Sequence, residues 1–140
     1  MRDEFSIETI FVDEFLLAVN KPAGLSTLRD GYIKSAPYLA GLLERQFGQV
    51  WIVHRLDKDT SGVVLFARSA DVHRTLNIAF EQRHVSKVYH AIVVGVPQWS
   101  ELDIDLPLLS DGDRRHRTIV DRVEGKVALT HCRVLEMFTA

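Results

Sequence analysis

The densest run of chemically capable side chains in the sequence is His54-Arg55-Leu56-Asp57-Lys58-Asp59-Thr60-Ser61-Gly62, set between the apolar runs Trp51-Ile52-Val53 and Val63 to Ala67. It holds one imidazole, two cations, two carboxylates and two hydroxyls. A polar loop between rigid strands is where catalytic groups usually sit. Taken singly, each of these residues also reads as an ordinary solvated turn residue. The order is what argues for more. In an extended backbone, positions 55, 57 and 59 point to one side and Leu56 to the other. Leu56 is then expected to anchor the loop in the core while Arg55 and Asp57 face a common cleft. An aspartate facing Arg⁺ stays ionised, which suits a nucleophile or an electrostatic partner better than a general acid.

Three rival chemistries fit less well. A two-carboxylate glycosidase needs its carboxyls about 5–9 Å apart with one of them neutral. Asp57 and Asp59 meet the distance, but nothing apolar surrounds either. Ser61, His54 and Asp57 contain the groups of a hydrolase triad, yet no G-x-S-x-G elbow is present and triad members come from separated segments. A metal site on His54, Asp57 and Asp59 has no histidine pair at helical spacing and no carboxylate-rich loop to support it. His73, His84, His90, His116 and His131 are scattered and read as surface or strand residues.

The elements that must hold this loop are legible around it. Residues 9–19 are β-branched and aromatic, broken by Asp13-Glu14, and predict a hairpin or strand pair. Asn20-Lys21-Pro22-Ala23-Gly24 stops it and opens a loop to about Ser35. Leu39, Leu42, Leu43 and Phe47 predict a helix over 37–47, with Pro37 at its start and Gly48 at its end. Val72, Leu76, Ala79 and Phe80 form the stripe of a second helix over 70–83. Val88 to Val96 predicts a long strand, residues 98–117 a charged loop, and 118–123 with 126–138 two strands joined at Glu124-Gly125. The expected class is α+β, a mixed or mostly antiparallel sheet with flanking helices.

Bulk properties set the outer limits. A chain of 140 residues is one domain's worth. Seventeen Lys and Arg against 19 Asp and Glu leave a net charge of −2, which excludes an overall basic coat for nucleic acid but not a local basic face. The lone Cys132 forms neither an intramolecular disulfide nor a thiolate metal cage. No apolar run approaches the ~20 residues of a membrane span, and the acidic start lacks a signal peptide's apolar stretch. The expected compartment is the cytoplasm. The last strand runs into Met137-Phe138 without a polar cap, so an open sheet edge is expected there, as if the chain were part of a larger domain.

The segment His54 to Ala67, H-R-L-D-K-D-T-S-G-V-V-L-F-A, closely resembles the signature of the RluA-type pseudouridine synthases. Val19-Asn20-Lys21-Pro22-Ala23-Gly24-Leu25 is similar to that family's first motif. Phe80, Arg83, Val85, Lys87, Tyr89, Ala91, Val93 and Gly95 match its F-x-x-R-x-V-x-K-x-Y-x-A-x-V-x-G segment, and Asp105-Leu106-Pro107-Leu108 and Gly125-Lys126-Val127-Ala128-Leu129-Thr130 fit as well. The resemblance covers about residues 10–135 in the right order. It implies the pseudouridine synthase catalytic fold over 1–140, incomplete at its C-terminal side, and isomerisation of uridine already in structured RNA, ribosomal or transfer. No cofactor and no metal are implied.

By that resemblance Asp57 is the catalytic aspartate, attacking C1′ or removing a proton from C2′. The resemblance also implies that Arg55 helps fill the vacated space or holds the displaced RNA, and that Tyr89 stacks on the target base and assists proton removal from C5. RNA contact is expected from His54, Lys58, Arg114, Arg115 and Arg117, with His116 in the same basic run and Lys21, Arg29 and Lys34 flanking the cleft. Family members continue into a G-R-T-H-Q-I-R-like motif that brings a basic residue to the aspartate, and many carry an S4-type RNA-binding domain, for which residues 1–9 are too few. The expectation for residues 1–140 alone is therefore little activity and self-association through the open edge. The alternative is an inactive RNA-binding remnant of such an enzyme.

Overall fold

Asp13 makes the first turn: its carboxylate accepts the backbone N–H groups of Phe15 (2.8 Å) and Leu16 (2.7 Å). Strand β1 (Glu8–Val12) thereby folds back onto β2 (Leu16–Lys21), the hairpin expected over 9–19. The computed structural model describes residues 5–31 and 33–138, and the chain forms two compact units divided between Val88 and Tyr89.

In the first unit β3 (Trp51–Ile52) and β4 (Gly62–Ala67) complete a four-stranded sheet in the order β1-β2-β4-β3, antiparallel throughout. Its register explains the core. Leu17 lies opposite Phe66, Val19 opposite Val64 and Lys21 opposite Gly62, so alternate residues of both central strands share one face. Helix α1 (Leu39–Phe47) covers the core with Leu39, Ala40 and Leu43, and Leu25, Val50 and Leu56 close it. Each fully buried Leu, Val or Phe contributes about 1.5–3 kcal/mol.

Helix α1 starts two residues later than Pro37 predicts, because its first amides are satisfied from outside. Leu39 N–H donates to the Ser26 carbonyl (2.8 Å) and Ala40 N–H to that of Thr27 (3.2 Å). It ends at Gly48, whose φ of 77° favours glycine. Helix α2 (Ala70–Glu81) is capped by Ser69, which accepts the Val72 N–H. It closes with Arg83 in the left-handed region (φ 59°), Arg83 N–H bonded to the Phe80 carbonyl and His84 N–H to that of Ala79. This is a Schellman closure built without glycine. The expected stripe of α2 is only half-covered, and no residue of the helix is fully buried.

The second unit departs from expectation in three places. Val88 to Val96, expected as a long strand, joins no ladder among the described residues; Ile92 is 92% exposed and the neighbouring Val94 wholly so. β-Branched composition favours a strand only when a partner and a covering layer exist, and here neither side of the segment is covered. The expected loop 98–117 instead carries β5 (Glu101–Asp105) and β6 (Leu108–Leu109). The two strands expected as neighbours across Glu124-Gly125 pair elsewhere: β7 (Ile119–Val120) with β6, and β8 (Leu129–Arg133) with β5. Between them Asp121 accepts the N–H groups of Val123 and Glu124, and Gly125 N–H bonds the Asp121 carbonyl, so 121–125 form a turn. All strand pairs among the described residues are antiparallel, within the mixed or mostly antiparallel α+β class expected.

Candidate active site

The Asp57 loop has no regular secondary structure, yet alternate residues are tied down. Leu56 is buried, and both its backbone groups go to one side chain: its N–H donates to Thr27 Oγ1 (3.2 Å) and its carbonyl accepts the Thr27 hydroxyl (2.8 Å). The Lys58 carbonyl accepts from Gly24 N–H (2.8 Å) and from Lys21 Nζ (3.0 Å). His54 Nε2 accepts the Leu65 N–H of β4 (3.0 Å). The side chains of His54 and Leu56 therefore face the body of the unit, and at position 58 the backbone carbonyl does. Arg55, Asp57, Lys58 and Asp59 are exposed. Thr60 N–H closes onto the Asp57 carbonyl (3.1 Å), and Gly62, at φ 131°, turns the chain into β4.

Lys21 is the centre of this arrangement. Its side chain is fully buried, and its ammonium donates to the carbonyls of Pro22 (3.0 Å), Leu25 (2.7 Å) and Lys58 (3.0 Å). Those three acceptors match its three N–H donors. Burial lowers its pKa below the ordinary lysine value, and the carboxylates of Asp59 and Asp57 push back. The buried cation thus lies within electrostatic reach of the exposed carboxylates. The expectation of Lys21 as a cation flanking the cleft is corrected by this burial. Lys21 continues the alternation Leu17, Val19 on the core face, which is the signal that marks it as an inward residue. Thr27 carried no such signal.

His54 is half-buried, its ring stacked on Phe80 of α2 with centroids 4.8 Å apart at 18°. Its acceptor nitrogen is engaged inside the unit, which argues against the RNA contact expected of it. Arg55 and Asp57 form no ion pair among the described residues, contrary to the pairing expected of them. Two exposed side chains gain too little from such a pair to hold one geometry.

Tyr89 belongs to the second unit and is 58% exposed. In that unit the basic run 114–117 is divided. Arg117 is held by Asp113, Nε to Oδ2 at 2.7 Å, and Asp113 also accepts the N–H groups of Arg115 (2.9 Å) and Arg117 (3.1 Å). The Arg117 bonds keep the Asp113 carboxyl below the usual range. His116 bonds Asp111. Arg114 and Arg115 are exposed, their guanidinium groups without an ion-pair partner among the described residues. No cluster of metal-ligating side chains occurs among the described residues, and no helix there is long and apolar enough to cross a membrane.

A profile of the RNA pseudouridylate synthase family matches residues 15–139. An uncharacterised RNA pseudouridine synthase of Zymomonas mobilis is 45% identical over 132 residues, 90% of this chain and 59% of that protein. The ribosomal large subunit pseudouridine synthase D of Pseudomonas aeruginosa is 36% identical over 151 residues, 100% of this chain and 45% of that one. Among solved structures, human RNA pseudouridylate synthase domain containing 4 superposes with a TM-score of 0.66 at 28% identity, covering 89% of this chain and 52% of the human one. The chain spans about half the length of the curated relatives it matches. With the four-stranded antiparallel sheet, the H-R-L-D loop at its edge and a family match running through both units, the chain belongs to the RNA pseudouridylate synthase family.

Proposed function

We propose that this chain serves the isomerisation of uridine to pseudouridine within structured RNA, ribosomal or transfer, with Asp57 as the catalytic carboxylate and no cofactor or metal. The observation that carries the reading is the fixed loop, which exposes Asp57 between two anchored residues, Leu56 and Lys58, above a buried ammonium. In the reaction the N-glycosidic bond breaks, the uracil turns, C5 bonds to C1′, the C5 proton leaves and N1 takes one up. Attack on C1′ and proton removal from C2′ both need a well-placed carboxylate, and the backbone bonds at Leu56 and Lys58, on either side of Asp57, support that reading.

The target uridine must leave its stack to reach an exposed carboxylate. Arg55, on the same outward side of the loop, suits the space it vacates, and Tyr89 suits stacking on the base. Lys58, Arg114 and Arg115 are exposed cations suited to phosphate contact, with Arg117 ordering the second basic loop through Asp113. The relative from Pseudomonas is named for the large ribosomal subunit, which favours ribosomal RNA as the first substrate to try. Self-association and a cytoplasmic location complete the reading. β8 is paired on one side only, and Leu129, Leu135, Met137 and Phe138 are exposed. Light scattering on residues 1–140 is expected to show dimers or larger species, and a strict monomer removes that part.

The test of the function is Asp57→Asn in the full-length protein. Pseudouridine formation on ribosomal and transfer RNA is expected to vanish while RNA binding persists. An Asn variant with normal turnover overturns the assignment, and binding without turnover in the wild type itself favours an RNA-binding remnant.

A further inference from the structure

The first fixed point of the Asp57 loop is titratable. β3 ends at Ile52, opposite Phe66. Beyond that point the Leu65 amide of β4 donates to a side chain, His54 Nε2, at 3.0 Å. This rests on the reading of Asp57 as the catalytic carboxylate: we propose that neutral His54 is a positioning residue for Asp57, its ring nitrogen standing in for a strand carbonyl, and that acid releases this end of the loop.

An imidazole nitrogen accepts a hydrogen bond only when it carries no proton, so the Leu65 bond selects the neutral ring with its proton on Nδ1. Protonation sets an N–H against the Leu65 N–H and breaks the contact. Around the ring the Leu65 amide and Lys87 oppose that charge, and the π face of Phe80 favours it. β4 presents an amide donor, and α2 presents the Phe80 face. Lys87, whose Nζ lies 6.0 Å from the centroid of the same Phe80 ring, adds like charge. His73 of α2 is engaged with the Ile52 carbonyl at 2.9 Å. Burial first, and Lys87 second, hold the His54 pKa below its ordinary value. The sign follows: with the folded-state pKa depressed, the contribution of this contact is full above about pH 6.5 and is lost as pH falls through the folded pKa. Two residues separate His54 from Asp57, and a small displacement of a reacting group costs about 100-fold in rate.

Two substitutions in the full-length protein separate positioning from RNA contact and from simple unfolding. His54→Gln keeps an acceptor oxygen of similar reach and does not titrate. His54→Leu fills the space without an acceptor. The readouts are kcat and KM for pseudouridine formation between pH 5 and 8, and amide exchange at Leu65. For His54→Leu, kcat is expected to fall about 100-fold with KM within about threefold, and Leu65 protection to be lost. For His54→Gln, kcat is expected within about tenfold of wild type, with the acid limb of the wild-type profile gone. A His54→Leu enzyme with wild-type kcat, a Gln variant as impaired as Leu, or a change in KM alone overturns the proposal. If the wild type makes no pseudouridine, the functional reading fails and exchange decides this one. A Leu65 amide unprotected at pH 7.5, or equally protected in His54→Leu, then refutes the latch.

Discussion

The Asp57 loop and the segment from Val88 to Val96 invert what their compositions promise. The loop is polar, turn-rich and without a ladder, yet its inward positions are bonded to β4, Thr27, Gly24 and Lys21. The segment Val88 to Val96 has the strongest strand composition in the chain and no strand partner among the described residues. Order here follows the supply of partners and not propensity. A backbone group finds its bond wherever a donor or acceptor is held in place, and a strand sequence without a neighbouring strand has nothing to pair with. The loop 111–117 is a third case. It is held by hydrogen bonds among its own residues, Asp113 with Arg115 and Arg117, and Asp111 with His116.

Breaking the partners of the Asp57 loop should therefore cost most. Lys21→Met takes the ammonium donor from the Pro22 and Leu25 carbonyls and leaves the Lys58 carbonyl with Gly24 N–H alone, and is expected to destabilise the first unit by roughly 2–4 kcal/mol in chemical denaturation. Thr27→Val keeps the shape and deletes one hydroxyl that serves both backbone groups of Leu56. A loss of about 1–3 kcal/mol is expected, with faster amide exchange at Leu56. If either variant is as stable as wild type, the loop is ordered by its own turns.

Smaller effects belong to the second unit. Replacing Arg114 and Arg115 together by Ala should lower the salt dependence of RNA binding by about one to two units of slope, whereas Arg117→Ala should act mainly by loosening the loop. Equal slopes for the two variants would show that the Asp113 contact does not set Arg117 apart. Smallest of all, Val94→Ser should change stability within about 0.5 kcal/mol, since the side chain is fully exposed. A large loss would place Val94 in a contact.

Much of this was legible in the residues. Asp13 as a turn, Gly48 as a helix end and Leu56 as the inward residue of the loop follow from turn chemistry and from the period of two. The Asp57 loop stood out because imidazole, guanidinium and carboxylate crowd between two apolar runs. What stayed hidden was long-range. Nothing near Thr27 says that its hydroxyl meets Leu56, 29 residues on. Nothing near His54 says that its ring replaces a strand carbonyl. The pairing of β5 with β8 was missed because Glu101 to Asp105 is acidic and alternates with only two large apolar residues, a pattern that reads as loop until a partner is known. Arg83 at positive φ likewise closes α2 without the glycine that usually announces such an end.

The central claim is that the loop holds the Asp57 carboxylate in one place for uridine isomerisation, and Asp57→Glu tests it most directly. The variant keeps the charge and shifts the oxygens by about one methylene, a displacement that costs on the order of 100-fold where geometry is fixed. The measurement is single-turnover release of tritium from RNA labelled at uridine C5, since that hydrogen leaves when C5 bonds to C1′. A roughly 100-fold slower release with unchanged RNA affinity is the predicted result. Release at the wild-type rate would contradict the account, because a carboxylate that works equally well a methylene further out is not positioned by its loop.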